Sequence, residues 1–308
     1  MIRLCCAALA LLPFHAFAQP APAMDDVACA ASYASASAFS IMPIALQEGP
    51  VAIDGWCEVT GLQVQVENST EIRIEKLRWR SAGHARLDEG LPPTALQMQI
   101  TDLQYLDLIG DPLLEYLMRV QSVNRQIDIT FDAYWDAAER RMSLIEARLG
   151  FAHGNMVALS GIFEDVDISD EVALAQSLGS GKMTEVNATI QTYGLFEEYV
   201  VPAIIFGLLD GAPDPAAAVE QLKQEGVAII DSVPERILDA QSAANLAALI
   251  RDMPHPQGRI SMAARSESGI GPLNLFGFAV LSGPNMMSDL WDSLPDLEVA
   301  LNYEEGPL

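Results

Sequence analysis

From Pro50 onward, apolar and polar residues alternate with a period of two. Leu62, Val64 and Val66 are interleaved with Gln63, Gln65 and Glu67, and Leu96, Met98 and Ile100 with Gln97, Gln99 and Thr101. Ile72 and Ile74 alternate with Arg73 and Glu75. Leu77 and Trp79 then carry the apolar set onward after a slip of one position, the signature of a bulge. This pattern belongs to antiparallel strands with one dry face and one wet face. It resumes at Ile127, Ile129 and Phe131, alternating with Asp128, Thr130 and Asp132. Turns at 136–139 and at His153-Gly154-Asn155 lead into Met142–Phe151 and Met156–Ile168, which makes a three-strand meander. Further strands are predicted at Val186–Ile190, Ile260–Ala264, Leu273–Leu281 and Leu297–Leu301.

Helical spacing interrupts the strands. Asp25–Ser40, rich in Ala and Ser, is compatible with helix or strand. Asp111-Pro112 reads as an N-cap followed by Pro at the first helical position, and Leu113, Leu114, Leu117 and Val120 give that helix an apolar side. From Leu195 to Met253 the pattern is almost continuous helix. Asp214-Pro215 opens one segment with Val219, Leu222, Gly226, Ile229 and Val233 on a common face, Pro234 opens the next, and Pro254-His255-Pro256 closes it. A short helix is predicted around Met286–Leu294. The fold class is α+β: a largely antiparallel, one-sided sheet with amphipathic helices on its apolar face. Residues 19–308 read as a single domain with a helical segment at about 195–253 between β-rich parts.

The first 18 residues stand apart. Arg3 precedes an apolar run from Leu4 to Phe14, and Ala16-Phe17-Ala18 supplies the small-x-small pattern of a signal-peptide cleavage site. The expectation is export to the periplasm, with cleavage after Ala18. Cys5 and Cys6 lie inside the signal, so the mature chain retains Cys29 and Cys57, which are expected to form a disulfide that pins the N-terminal segment to the first long strand. The best candidate for a transmembrane span, Val200–Leu209, is about half of the roughly 20 residues needed, so none is expected in the mature chain.

Composition sharpens this reading in two ways. The chain of 308 residues is half hydrophobic, which excludes disorder, yet 42 acidic residues against 17 Lys and Arg leave a formal charge of −25. Such acidity argues against nucleic acid as a partner, because phosphate binding is built on clustered Lys and Arg.

The motifs that would carry catalysis are incomplete. His84, His153 and His255 fall in predicted loops, with no second His or Cys at metal-ligand spacing. Ser160 lacks the first glycine of a nucleophile elbow. Gly179-Ser180-Gly181-Lys182 misses both the leading Gly and the trailing Ser or Thr of a phosphate loop, and Gly269 and Gly271 lack the third glycine of a dinucleotide motif. The acids Glu164, Asp165, Asp167, Asp170 and Glu171 suit a cation by chemistry but lack EF-hand spacing, and Ser169-Asp170-Glu171 makes a plain helix start.

No catalytic, cofactor or metal residue is therefore assigned. The expected function is that of an exported, non-enzymatic envelope protein binding an apolar ligand such as a lipid, or an envelope protein partner. The alternatives are a purely structural or assembly protein, and a hydrolase with a site assembled from scattered residues. Whether the helices cover the dry face completely or leave a groove separates these readings.

Overall fold

The computed structural model describes residues 21–39, 44–66, 70–107, 110–122, 125–201, 214–272, 291–294 and 296–306. The expected signal peptide, most of Val200–Leu209, the strand at Leu273–Leu281 and most of the helix at Met286–Leu294 lie outside these residues.

Among the described residues, eleven strands form one antiparallel sheet: β1 (Ile44–Ala45), β2 (Glu48–Ile53), β3 (Trp56–Val66), β4 (Thr70–Ala82), β5 (Ala95–Asp107), β6 (Ile127–Asp136), β7 (Arg141–Gly150), β8 (Met156–Glu164), β9 (Lys182–Tyr193), β10 (Gln257–Ile270) and β11 (Glu298–Glu305). From β3 to β11 each strand pairs with its successor in the chain, while β1 and β2 share the outer edge of β3. The expected three-strand meander is thus the middle of a longer one. The helices are α1 (Asp26–Phe39), α2 (Pro112–Ser122), α3 (Glu171–Ser180), α4 (Pro215–Asp231) and α5 (Ala240–Asp252), with a π-helical turn at Phe196–Val200.

The slip in β4 is real, and β3 and β5 share it. Register runs unbroken from Leu62↔Ile74 to Thr60↔Lys76, and from Ile74↔Leu103 to Lys76↔Thr101. All three strands therefore change parity on one line, at Gly61, Glu75 and Asp102. Gly61 and Asp102 adopt left-handed backbone, with φ of 60° and 53°. Because the strands shift together, Val59 and Leu62, Ile74 and Leu77, and Ile100 and Leu103 all stay in one apolar cluster. A shift in one strand alone would have turned its following side chains to the wet face.

Helices cover the dry face at its two ends. α1 lies over β2 and β3. At the far end Leu249 of α5 packs with Phe196 and Ile260, while Ile230 of α4, Leu238 and Ala247 form a neighbouring cluster. Gly226 of α4 permits close approach, since a Cβ there would lie 3.2 Å from Ile250 Cδ1. Between these ends, Leu149 and Leu159 point to the same face and remain 37% and 42% exposed.

Three sequence expectations need correction. Pro234 does not open a helix: residues 232–239 turn instead, because Ile237 and Leu238 are buried and the Ile237 carbonyl accepts from Val299 N of β11 at 2.6 Å. α5 starts at Ala240, capped by Asp239 Oδ1, which accepts from Ser242 N at 2.6 Å. β8 ends at Glu164 rather than continuing to Ile168, which is buried in the following loop while its carbonyl accepts from Arg86 Nη2. Finally, α2 turns its apolar side outward. Its half-buried positions are Glu115 and Met118, whereas Leu113 and Tyr116 are 75% and 67% exposed.

Candidate ligand site between the first helix and the sheet

The site starts from how α1 is attached. Asp25 Oδ1 accepts from Ala28 N at 2.8 Å, which satisfies a free donor of the first turn and decides the Ala/Ser-rich segment in favour of helix. Asp26 Oδ1 accepts from Ala52 N of β2 at 3.1 Å, and Met24 N donates to Gly55 O at 2.9 Å. Cys29 is disulfide-bonded to Cys57 of β3, with their Cα atoms 5.0 Å apart, as the sequence led us to expect. The helix is thereby pinned at its N-terminal half.

Residues 29, 32, 33, 36 and 37 recur at the spacing of one helical face, and that face looks onto the sheet. They are small apart from Tyr33. Trp79 of β4 rises between them: its Nε1 donates to Ser32 Oγ at 2.9 Å in a buried bond, and its ring lies 6.5 Å from that of Tyr33. Farther along, where Ala36 and Ser37 are too short to reach the sheet, a cavity of about 260 Å³ remains. Its floor is Leu62, Leu77, Trp79, Ser81, Leu96 and Met98, and Leu87 and Pro93 bound one side. Among the described residues, no charged side chain lines it.

Two buried hydroxyls belong to residues of this lining. Ser37 Oγ and Ser81 Oγ are inaccessible to solvent and have no hydrogen-bond partner among the described residues. Ser81 is only 6% exposed, and its register opposite Leu96 places it on the dry face. A buried hydroxyl without a partner costs about 1–3 kcal/mol, so each marks a place where a partner is missing.

A second cavity, of about 420 Å³, lies where the three strands change parity. It is polar, lined by Arg73, Glu75, Lys76 and Asp102 among others, and among the described residues neither His nor Ser lines it. Glu75 holds the Asp102 carboxyl above its ordinary range by hydrogen bonding to it, with burial and the Glu75 charge acting in the same direction. The bases are already engaged: Lys76 pairs with Glu58 at 3.3 Å and Arg73 with Glu71 at 2.5 Å. On the same wet face Trp56 receives the guanidinium groups of Arg78 and Arg80, 4.8 and 4.2 Å from its ring centre.

The chain was compared with known protein families and with curated proteins. It matches none of them. Its chemistry therefore rests on its own residues.

The motif residues weighed above are spread over the molecule. His255 Nδ1 lies 2.9 Å from Glu197 Oε1 at the surface, His153 sits in a left-handed turn with φ 62°, and His84 begins a 3-10 turn. Among the described residues no three His, Cys, Asp or Glu are grouped to hold a metal. The acidic run has separate structural tasks. Asp165 pairs with Lys182 at 3.3 Å and Asp170 caps α3 by accepting from Ala173 N at 2.8 Å. Asp167 accepts from Ser169, whose hydroxyl and N–H hold its carboxyl below the ordinary range, and it faces Arg140. The pocket residues Ser37 and Ser81 were not singled out from the sequence. The one available signal was a Ser at an apolar-face position of a strand, two residues beyond Trp79.

Proposed function

We propose that this is an exported, periplasmic, non-enzymatic protein that holds an apolar ligand on the dry face of its sheet. The observation that carries the proposal is the pocket between α1 and β3–β5, whose described lining is largely aliphatic and aromatic and carries no charged side chain. Small-molecule sites share this make-up, an apolar wall with a few placed polar groups. The half-exposed Leu149 and Leu159 extend the same face beyond the pocket, which suits a ligand longer than the cavity. Export agrees with a disulfide and with the absence, among the described residues, of a helix long and apolar enough to cross a membrane. Binding is favoured over hydrolysis because the groups around the pocket are those of recognition. Native mass spectrometry of the protein before and after organic extraction tests this. An extractable mass increment is expected, and a spectrum at the mass of the polypeptide alone, unchanged by extraction and by added lipid, refutes it.

One observation supports a second role, attachment to the envelope itself. α2 displays Leu113, Leu114, Tyr116, Leu117 and Val120 to solvent. Eleven residues make a helix about 16 Å long. One face of it offers far less than the roughly 800 Å² per partner of a stable protein interface. A lipid surface needs only the apolar side chains to enter. Flotation with phosphatidylcholine vesicles is expected to carry the protein upward. A Leu113→Ser/Leu117→Ser variant that floats equally well refutes the role.

A further inference from the structure

We infer that the wet face carries a second ligand site, on which Arg78 and Arg80 of β4 and Trp56 of β3 take a phosphate group that bears an apolar substituent, as in an alkyl phosphate. The site lies across the sheet from the α1 pocket and stands independently of it.

Register builds the site. Cys57 pairs with Trp79 and with Ala52, and all three belong to the core cluster under α1. Their chain neighbours Val51, Ile53, Trp56, Arg78 and Arg80 therefore point to the other face. Both guanidinium groups lie over the one ring of Trp56, with Cζ of Arg78 4.8 Å and Cζ of Arg80 4.2 Å from its centre. Their charges are not neutralised there. On the same strand Arg73 holds Glu71 and Lys76 holds Glu58. Glu58, the residue opposite Arg78, is thereby engaged and is only 9% exposed. Arg78 Nε donates to Gln99 Oε1 at 2.6 Å, which fixes the plane of its guanidinium. Arg80 makes no hydrogen bond or ion pair among the described residues, and its Nε is inaccessible to solvent. The Nη atoms of both arginines also lack partners among the described residues but, unlike that Nε, are accessible.

The ring attracts each cation through its quadrupole but neutralises neither, and the two like charges beside it repel. A phosphate carries close to two negative charges, twice those of a carboxylate, and a guanidinium edge fits two of its oxygens. The chain's net charge of −25 is spread over the molecule and screened beyond about 8 Å at physiological salt, so the local pair governs. Beside the ring, Val51 and Ile53 are each 43% exposed. They cover an apolar substituent and offer inorganic phosphate nothing.

Calorimetric titration of the intact protein at neutral pH compares monooctyl phosphate, inorganic phosphate and octanoate. Monooctyl phosphate is expected to bind at least tenfold more tightly than either, with an affinity that falls as salt rises. Arg78→Gln/Arg80→Gln is expected to weaken it at least tenfold while the circular-dichroism spectrum stays unchanged. Arg78→Lys/Arg80→Lys keeps the charge but loses the planar fork, and is expected to fall between the two. Sedimentation with phosphatidic acid vesicles separates the sources of the group: a lipid-borne phosphate pellets the parent and not the Gln variant, whereas a soluble one is bound only as monooctyl phosphate. Monooctyl phosphate binding that is indifferent to both double variants belongs to the α1 pocket and overturns the site. Octanoate or inorganic phosphate binding as tightly overturns the ligand class, and absence of binding in both the soluble and the vesicle form overturns the inference altogether.

Discussion

Removal of the disulfide offers the sharpest test of how the pocket is built. In Cys29→Ala/Cys57→Ala the covalent link between α1 and β3 is lost, and the loop it closes spans a sequence separation of 28. Chain-entropy arithmetic for a loop of that length assigns the cross-link about 3.6 kcal/mol at room temperature. Both cysteines are fully buried in the cluster with Met24, Val59, Leu62, Ile74 and Trp79, so truncation to Ala adds a small packing loss in the same direction. For a chain of 308 residues the entropy of unfolding converts the loss to a fall in Tm of about 6 °C. Urea unfolding followed by circular dichroism, with calorimetry for the melt, measures it directly. The remaining hydrogen bonds described above for α1 are Asp26 to Ala52, Met24 to Gly55 and Trp79 to Ser32, all within or just before its N-terminal half. The variant should therefore lose ligand affinity along with stability, since α1 forms one wall of the site. A loss under 1 kcal/mol with affinity for an apolar probe such as n-octane intact would refute the reasoning, because α1 would then be held without the cross-link.

Three further outcomes follow from individual contacts. Trp79→Phe removes the buried bond to Ser32 Oγ and orphans that hydroxyl, with an expected cost of about 2 kcal/mol in urea unfolding; a change within 0.5 kcal/mol contradicts it. Asp102 binds its proton more tightly in the folded state than the ordinary value of 3.8, so it lowers stability as pH rises from 3.8 through its folded pKa. Asp102→Asn, which also tolerates the left-handed backbone, is expected to melt higher at neutral pH and to converge with the parent below about pH 3.8; parallel pH profiles refute this. Asp296 behaves oppositely. The N–H of Ser268, at 2.5 Å, lowers its carboxyl, which burial opposes and the hydroxyls of Ser268 and Ser266 reinforce. Its stabilisation is complete above 3.8 and is lost as pH falls through the folded value, so Asp296→Asn should flatten the acid limb of the parent's Tm profile.

Local chemistry made the elements legible. Period-two alternation marked β3 to β6, Asp111-Pro112 and Asp214-Pro215 marked two helix starts, and the expected export signal together with two remaining cysteines pointed to the disulfide. Each depends on neighbours in the chain, which a linear reading contains. Pro234 shows where such reading fails. Pro at a helical first position is locally sound, but burial of Ile237 and Leu238 against β11, some 60 residues away, claimed the backbone first. The same holds for α2, whose apolar stripe was plain in the sequence although its outward direction was not.

By itself, then, the amino-acid order determined a one-sided antiparallel sheet, amphipathic helices and a covalent clasp, because alternation, capping and cysteine count are properties of a single segment. The tertiary structure alone decided that α1 and α5 sit at opposite ends of the dry face, that Leu149 and Leu159 stay exposed between them, and that a cavity remains between α1 and the sheet. Those depend on which strand lies beside which and on how far each helix stands from the sheet. Such distances arise from packing between segments remote in sequence, and no periodicity encodes them.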